Sequence, residues 1–368
     1  MKLPSYFKDF LADIRLTKAQ IEDLKKGHKT LRDRLEKDEE LSKIILCTFL
    51  QGSYRRSTAI RPIGEIRSDV DVIVVTKLDM DEYTPSEALD LFIPFLEKYY
   101  KDKYRIQGRS LGISLSYVDL DIVVTAAPSE SQVGIFESKA IISDFSIEDF
   151  NNINSGKNLS YSESVFLNES REFFSMKKEE PKWKMEPLYI PDREAEEWNP
   201  THPLEQIRWT NEKNKNCNGH YVNVVKALKW WRKDKFPDAG QPKSYPLEHF
   251  IGDCCPNEID SVADGVVLVL EKIIEYSDKP VLSDRGVPEH DVFARTSDED
   301  FSEFYEQVKE AAVIARCALD AEDIQTSELK WRELFGKKFP NNQKKNSSGF
   351  SQRTEKSEEI PSGRFACR

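Results

Sequence analysis

Two aspartates separated by one valine open a run of β-branched residues, DVDVIVVT at positions 69–76. Residues two apart on a strand project to the same face. Asp69 and Asp71 therefore stand side by side in a segment whose other residues call for burial. Like charges in that setting are unfavourable unless a cation sits between them. A chain with this feature must bury one strand along most of its length and open one end of it into a polar cleft.

The residues before and after this strand say what the cleft is for. A Gly-Ser pair, Gly52-Ser53, ends the preceding apolar run KIILCTFLQGS. Glycine lets backbone approach a phosphate closely, and the serine hydroxyl and nearby N–H groups can donate to its oxygens. Paired carboxylates suit Mg²⁺, which keeps several waters and completes its octahedron with substrate phosphates. Phosphate donors facing two such carboxylates make a site for a nucleoside triphosphate. Two-metal phosphoryl chemistry calls for a third carboxylate beside the attacking oxygen. YVDLDIVVTAAP offers Asp119 and Asp121, again two apart on an apolar strand, and one of them completes the set.

The rest of the chain divides by composition. Residues 5–40 carry apolar residues at helical intervals among many charges, with no proline after Pro4 to interrupt them. Strands around 44–51, 69–78 and 113–126, with a helix over PSEALDLFIPFLEKYY, predict an α/β unit over 1–130. Residues 131–203 are polar and turn-rich, with prolines at 181, 187, 191, 200 and 203, and read as a connecting segment. From 204 to 339 the periodicity is helical. Residues 340–368 have too few apolar side chains to offset the entropy of ordering them, so they read as a disordered tail.

Bulk properties narrow the partners. The 368-residue chain has a formal charge of −11, and its basic residues are mostly interleaved with acids. Grip on long duplex nucleic acid rests on neutralising phosphates, so no such partner is expected. No run of about 18 apolar residues suggests a membrane span, and the N-terminus does not resemble a secretion signal, so the expected compartment is the cytoplasm. Six cysteines do not form a disulfide framework in that setting. Cys217, His220, His249, Cys254 and Cys255 offer zinc-ligand types, but their spacing matches no strong zinc pattern and buried structural thiols are the commoner case.

The ordered combination of Gly-Ser, D-x-D and a later Asp resembles the polymerase-β-like nucleotidyltransferases. Within them the chain resembles the bacterial cGAS/DncV-like enzymes (CD-NTases) of CBASS anti-phage systems. The likeness rests on FLQGSYRRSTAIRP, DVDVIVVT, DLDIVVTAA, HYVNVVKALKWWRK and KSYPLEHFIG. QIRWTNEKNKNCNGHY and DRGVPEHDVFAR look closest to the cyclic-trinucleotide branch. The resemblance implies an α/β nucleotidyltransferase core with an N-terminal spine helix, and a helical C-terminal lobe that closes a two-lobed cleft. It implies that Asp69 and Asp71 bind two Mg²⁺ ions. Asp121 takes the third place over Asp119, since the family sets this Asp directly before an I-V or V-V pair. Gln51, Gly52 and Ser53 would hold the triphosphate, Lys226 or Lys229 and Ser244 would contact phosphates, and Tyr245 would stack on a base. Ser244-Tyr245 could instead cap a helix, and lysines on one helix face are usually solvated. Arg55, Arg56 and Arg61, in the stretch between the Gly-Ser turn and Asp69, have open roles.

The implied activity is synthesis of a cyclic trinucleotide second messenger, cyclic AMP-AMP-GMP, from ATP and GTP in antiviral defence. The protein is expected to be a monomer, with its tail serving as a handle for ubiquitin-transfer-like regulatory partners. The alternatives are a linear nucleotidyltransferase acting on RNA, protein or a small molecule, and a non-catalytic nucleotide-binding scaffold.

Overall fold

The computed structural model describes residues 1–64, 66–127 and 186–341. The expected tail and most of the connecting segment lie outside the described residues. The first helical stretch is two helices, α1 (Pro4–Ile14) and α2 (Lys18–Lys37). Thr17 makes the break. Its side chain accepts from Gln20 N at 3.2 Å, and its own N–H donates to Gln20 Oε1 at 2.9 Å, a reciprocal cap that starts a new helix.

The sheet lobe is built on β1 (Ile45–Gln51), β2 (Asp69–Thr76), β3 (Tyr104–Ile106), β4 (Leu111–Ser114) and β5 (Asp119–Ala126), in the order β1-β2-β5-β4-β3. β2 lies at the heart of it, antiparallel to β1 and parallel to β5. The crossover between β2 and β5 carries α4 (Pro85–Asp90) and α5 (Ile93–Tyr100), as a parallel pair requires. Val70, Val72 and Val74 of β2 share one core with Leu24 and Leu31 of α2, Phe95 of α5, and Leu120 and Ile122 of β5. Ile73 and Val75 point the other way, into a smaller core with Leu46, Phe49 and Leu188. By alternation, Asp69 and Asp71 lie on that second face, at the end of the strand where the core gives out.

Two further strands come from the segment read as a turn-rich connection. β6 (Leu188–Asp192) and β7 (Glu197–Thr201) form an antiparallel ribbon, joined to β5 through Ala126 and Tyr189. Pro191 and Pro200 hid it, because proline lowers a strand reading yet is tolerated at a sheet's edge.

The helical lobe comprises α6 (Pro203–Asn216), α7 (Tyr221–Lys235), α8 (Ser244–Cys254), α9 (Val262–Ile273), α10 (Asp298–Asp320) and α11 (Ile324–Phe335). Its core also contains Phe7, Phe10, Leu11 and Ile14 of α1. The sequence placed all of 1–130 in one unit, whereas the packing gives α1 to the helical lobe and α2 to the sheet. Phe7 and Phe10 of α1 find ring partners in Trp331, Phe335 and Phe339, near the far end of the described chain. Arg61 is structural. Its N–H donates to Ile14 O at 2.6 Å and its Nε to Arg15 O at 3.1 Å, satisfying carbonyls at the end of α1.

Candidate active site

β1 delivers the chain to a short helical turn, α3 (Gly52–Arg55), through Gly52 at φ +77°. That left-handed conformation favours glycine. Space demands it as well, because a β-carbon on Gly52 would lie 1.8 Å from Asp71 Oδ2. Gln51 is the antiparallel partner of Asp71 across the β1–β2 ladder. The Ser53 carbonyl accepts from the backbone N–H of Thr58 at 2.9 Å and of Ala59 at 3.1 Å, closing the turn on itself. The structure thus brings Gln51, Gly52 and Ser53 against the first aspartate pair.

β2 and β5 run parallel with Asp69 opposite Asp119 and Asp71 opposite Asp121. Parallel partners share a face, so strand parity does not separate Asp119 from Asp121. Their partners do. Asp119 Oδ1 accepts from Arg67 Nη2 at 3.1 Å and Nε at 3.3 Å, an ion pair open to solvent. Asp121 Oδ1 accepts from the neutral Gln107 Nε2, at 2.9 Å. Burial, then the charges of Asp69 and Asp121, push the Asp71 carboxyl up to about 7, against the pull of Arg56. Burial raises Asp121 too, with Arg105 and the Gln107 bond opposing.

Burial together with neighbouring carboxylates raises Asp71, the setting in which a cation between such groups is favourable. Among the described residues no three ligating side chains close a cage by themselves. Mg²⁺ binds through one or two carboxylates and takes its remaining ligands from water and phosphate. The carboxylates of Asp69, Asp71 and Asp121 suit such an ion in the chemistry of their donor atoms.

Across the cleft, α7 presents a row of lysines. Lys226 is only 1% exposed and does not open to the cleft. Lys229 is also buried, and its Nζ donates to Thr58 O at 3.1 Å and lies 3.8 Å from Glu248 Oε2. Neither is the solvated lysine of an ordinary helix face. Lys233, not singled out from the sequence, is half-buried, and the charge of Asp69 offsets part of the lowering that burial imposes on its ammonium. The spacing 226, 229, 233 puts all three on one helix face, a signal that could have included it.

Ser244 is the exposed first residue of α8, and Lys243 rather than Ser244 occupies the cap position, without a side-chain bond. Tyr245 donates its hydroxyl to Asp284 Oδ2 at 2.7 Å, while the Arg56 guanidinium lies over its ring at 5.1 Å. Arg56 is buried and pairs with Glu248 through Nε at 2.7 Å. Glu248 carried no signal in the sequence, since a single Glu in PLEHF looks like any helix-face acid.

Elsewhere, a groove of about 720 Å³ lies between the end of α2 and the α4–α5 region, lined by Asp38, Glu40, Glu82, Glu87, Asp90 and Lys98 among others. Its acids make it unsuited to a triphosphate. Among the described residues no helix is long and apolar enough to cross a membrane.

Residues 1–135 match the family model of the SMODS domain, the Second Messenger Oligonucleotide or Dinucleotide Synthetase domain. Over the full length of both chains, the sequence is 46% identical to the cyclic AMP-AMP-GMP synthase of Enterobacter hormaechei subsp. hoffmannii. It is 31% identical to the cyclic AMP-AMP-AMP synthase of an Acinetobacter species, over 92% of this chain and 86% of that one. Among solved structures, Escherichia coli MS115-1 CdnC with ATP superimposes with a TM-score of 0.63 at 17% identity, over 93% of this chain and all of the other. That likeness carries the fold: a polymerase-β-like core with a helical lobe, as the sequence implied.

Proposed function

The chain belongs to the bacterial CD-NTases, nucleotidyltransferases that synthesise cyclic oligonucleotides, and we propose that its product is cyclic AMP-AMP-GMP made from two ATP and one GTP. The product rests on the 46% identity to a synthase of that name, carried over the whole length of both chains. The observation that carries the chemistry is the parallel register of Asp71 with Asp121, packed beside the Gly52 turn.

Each step forms one bond from a 3′-hydroxyl oxygen to an α-phosphorus and breaks the bond from that phosphorus to the β-phosphate. Pyrophosphate leaves and the hydroxyl proton passes to solvent. Three such steps close the ring and release three pyrophosphates. Two Mg²⁺ ions held by Asp69, Asp71 and Asp121 would supply charge neutralisation and activation of the attacking oxygen. The protein's own groups orient the substrates. Ser53 and the N–H groups of its turn hold the triphosphate against β2, Lys229 and Lys233 face it from α7, and Ser244 meets it from the start of α8. Tyr245, fixed by Asp284, offers a ring for a base to stack on.

The reading extends to cytoplasmic antiviral signalling by a monomer, with residues 340–368 as the handle for ubiquitin-transfer-like partners. Long duplex nucleic acid is not required. The test is to incubate purified protein with Mg²⁺, ATP and GTP and examine the product by mass spectrometry after phosphatase treatment. A phosphatase-resistant ring of two AMP and one GMP is expected. A linear product, or dependence on an added RNA or protein acceptor, would replace this reading with that of a linear nucleotidyltransferase.

A further inference from the structure

One carboxylate ties the two lobes together at the nucleotide turn. Glu248, on α8, is 3% exposed. Its Oε1 accepts from Arg56 Nε at 2.7 Å, and its Oε2 from Thr58 Oγ1 at 2.7 Å. Lys229 Nζ lies 3.8 Å from the same Oε2 and donates to Thr58 O at 3.1 Å. Thr58 N in turn donates to Ser53 O at 2.9 Å. A continuous path therefore runs from the Ser53 turn in the sheet lobe, through Thr58 and Glu248, to Lys229 in the helical lobe. Arg56 branches from the same carboxylate to lie over Tyr245.

Ser57, between Arg56 and Thr58, has φ +58°, a left-handed conformation disfavoured for any residue with a β-carbon. Its two neighbours both bond to Glu248, and its own N–H donates to Tyr54 O at 3.1 Å. Such strain persists only where the surroundings over-determine it, which is common at ligand clamps.

We propose that Glu248 is a positioning residue: resting on the reading of this cleft as the triphosphate site, it sets the spacing between the Ser53 turn and Lys229, and so the grip on the triphosphate. Both of its oxygens are engaged by protein donors, so it acts through Arg56, Thr58 and Lys229 rather than on the nucleotide. Burial pushes its carboxyl up, but Arg56, Lys229 and the hydrogen bonds outweigh burial and keep it charged. The effect is mutual. Burial lowers the Lys229 ammonium, Glu248 and Asp69 oppose that, and Arg56 and Lys233 add to it. A buried ion cluster is weak evidence for stability, because well-packed apolar side chains often do as well. Its geometric effect is the better reason for it here. Arg56 and Thr58 come from the loop that must hold the phosphates, and Lys229 from the helix that faces them.

The experiment compares two probes, a non-hydrolysable ATP analogue with Mg²⁺ and adenosine, on wild-type protein, Glu248→Gln and Glu248→Asp. In Glu248→Gln the dissociation constant for the analogue should rise about tenfold or more, the size of effect seen when one partner of a buried charged hydrogen bond is lost. Adenosine, which lacks the phosphates, should bind unchanged. The KM for ATP should rise by the same factor, with a smaller loss in kcat. Glu248→Asp keeps the charge and should recover part of the loss. Equal weakening of both probes would show a general structural role, and no change in either would show no role; both overturn the proposal. Should Glu248→Gln fail to fold, Thr58→Val removes the hydroxyl link alone and must show the same selective loss, and wild-type binding by it would also overturn the proposal. If the wild-type protein itself fails to prefer the analogue over adenosine, the triphosphate reading of the cleft fails first, independently of Glu248.

Discussion

The Oδ2 atom of Asp71 lies 1.8 Å from where a β-carbon on residue 52 would be, so the glycine and the carboxylate share one space. Gly52→Ala must therefore displace Asp71 or unwind the turn, and its φ of +77° adds strain in either case. An ångström of misplacement at a reacting centre costs roughly 100-fold in rate. Synthesis from ATP and GTP should fall by at least that factor while circular dichroism still reports a folded protein. Near-wild-type activity in Gly52→Ala would show that Asp71 does not work from this position.

Asp71 also makes the metal-free protein pH-sensitive. Its folded-state carboxyl is raised from 3.8 to about 7, so between those values the folded state holds a proton that the unfolded state has lost. Stability from this group is therefore greatest at low pH and declines as pH rises from about 4 towards 7. In chelator, Asp71→Asn should melt several degrees above wild type at pH 8, with the gap closing towards pH 4. Adding Mg²⁺ at pH 8 should raise the wild-type melting temperature and leave that of the variant nearly unchanged. A wild type that melts higher than the variant in chelator at pH 8 would contradict the crowding of carboxylates.

The partners of the two β5 aspartates rank their substitutions. Asp121→Ala should reduce synthesis by roughly 1,000-fold or more, as expected for a group acting directly on the reaction. Asp119 is paired with Arg67 at the solvent edge, and exposed pairs contribute little, so Asp119→Ala should stay within about tenfold of wild type. Initial rates of pyrophosphate release measure both. The reverse order would reassign the third carboxylate.

Lys233, half-buried on α7, feels the charge of Asp69, which places its ammonium near the candidate phosphate site. Lys233→Met keeps the length of the stem and removes the charge. The KM for ATP should rise about tenfold, the worth of one charge-assisted hydrogen bond, with the fold intact. An unchanged KM would place Lys233 outside the nucleotide site.

Phe339 marks where the chain can be cut. It is fully buried, with its ring centroid 5.2 Å from that of Phe7 and 5.6 Å from that of Phe10. Truncation after Pro340 should leave synthesis in vitro nearly unchanged and abolish any partner-dependent conjugation. Truncation after Lys338 removes that ring from the core and should cost about 3 kcal/mol, visible as a lower melting temperature. Loss of activity on cutting after Pro340, with the fold intact, would bring the tail into the active site.

The sequence by itself determined what is local or periodic. Alternation along DVDVIVVT and DLDIVVTA put the aspartates on one face of their strands, and the Gly-Ser pair supplied a turn before them. Both follow from backbone geometry alone, and with the order of elements they indicate an α/β unit with a metal-assisted triphosphate site, while the fold family and product came from the resemblance. Tertiary structure decided what depends on distant partners. Asp119 and Asp121 are equivalent in alternation; the family resemblance favours Asp121, and in the fold Arg67 engages Asp119 while Gln107 meets Asp121. α1 looks continuous with α2 in composition, yet its apolar face belongs with Phe335 and Phe339, more than 300 residues away. Glu248 reads as one more helical acid until the fold brings it to Arg56, 192 residues earlier in the chain. Periodicity reports which side of an element is apolar, but a charge's partner is set by where the whole chain places the opposite charge.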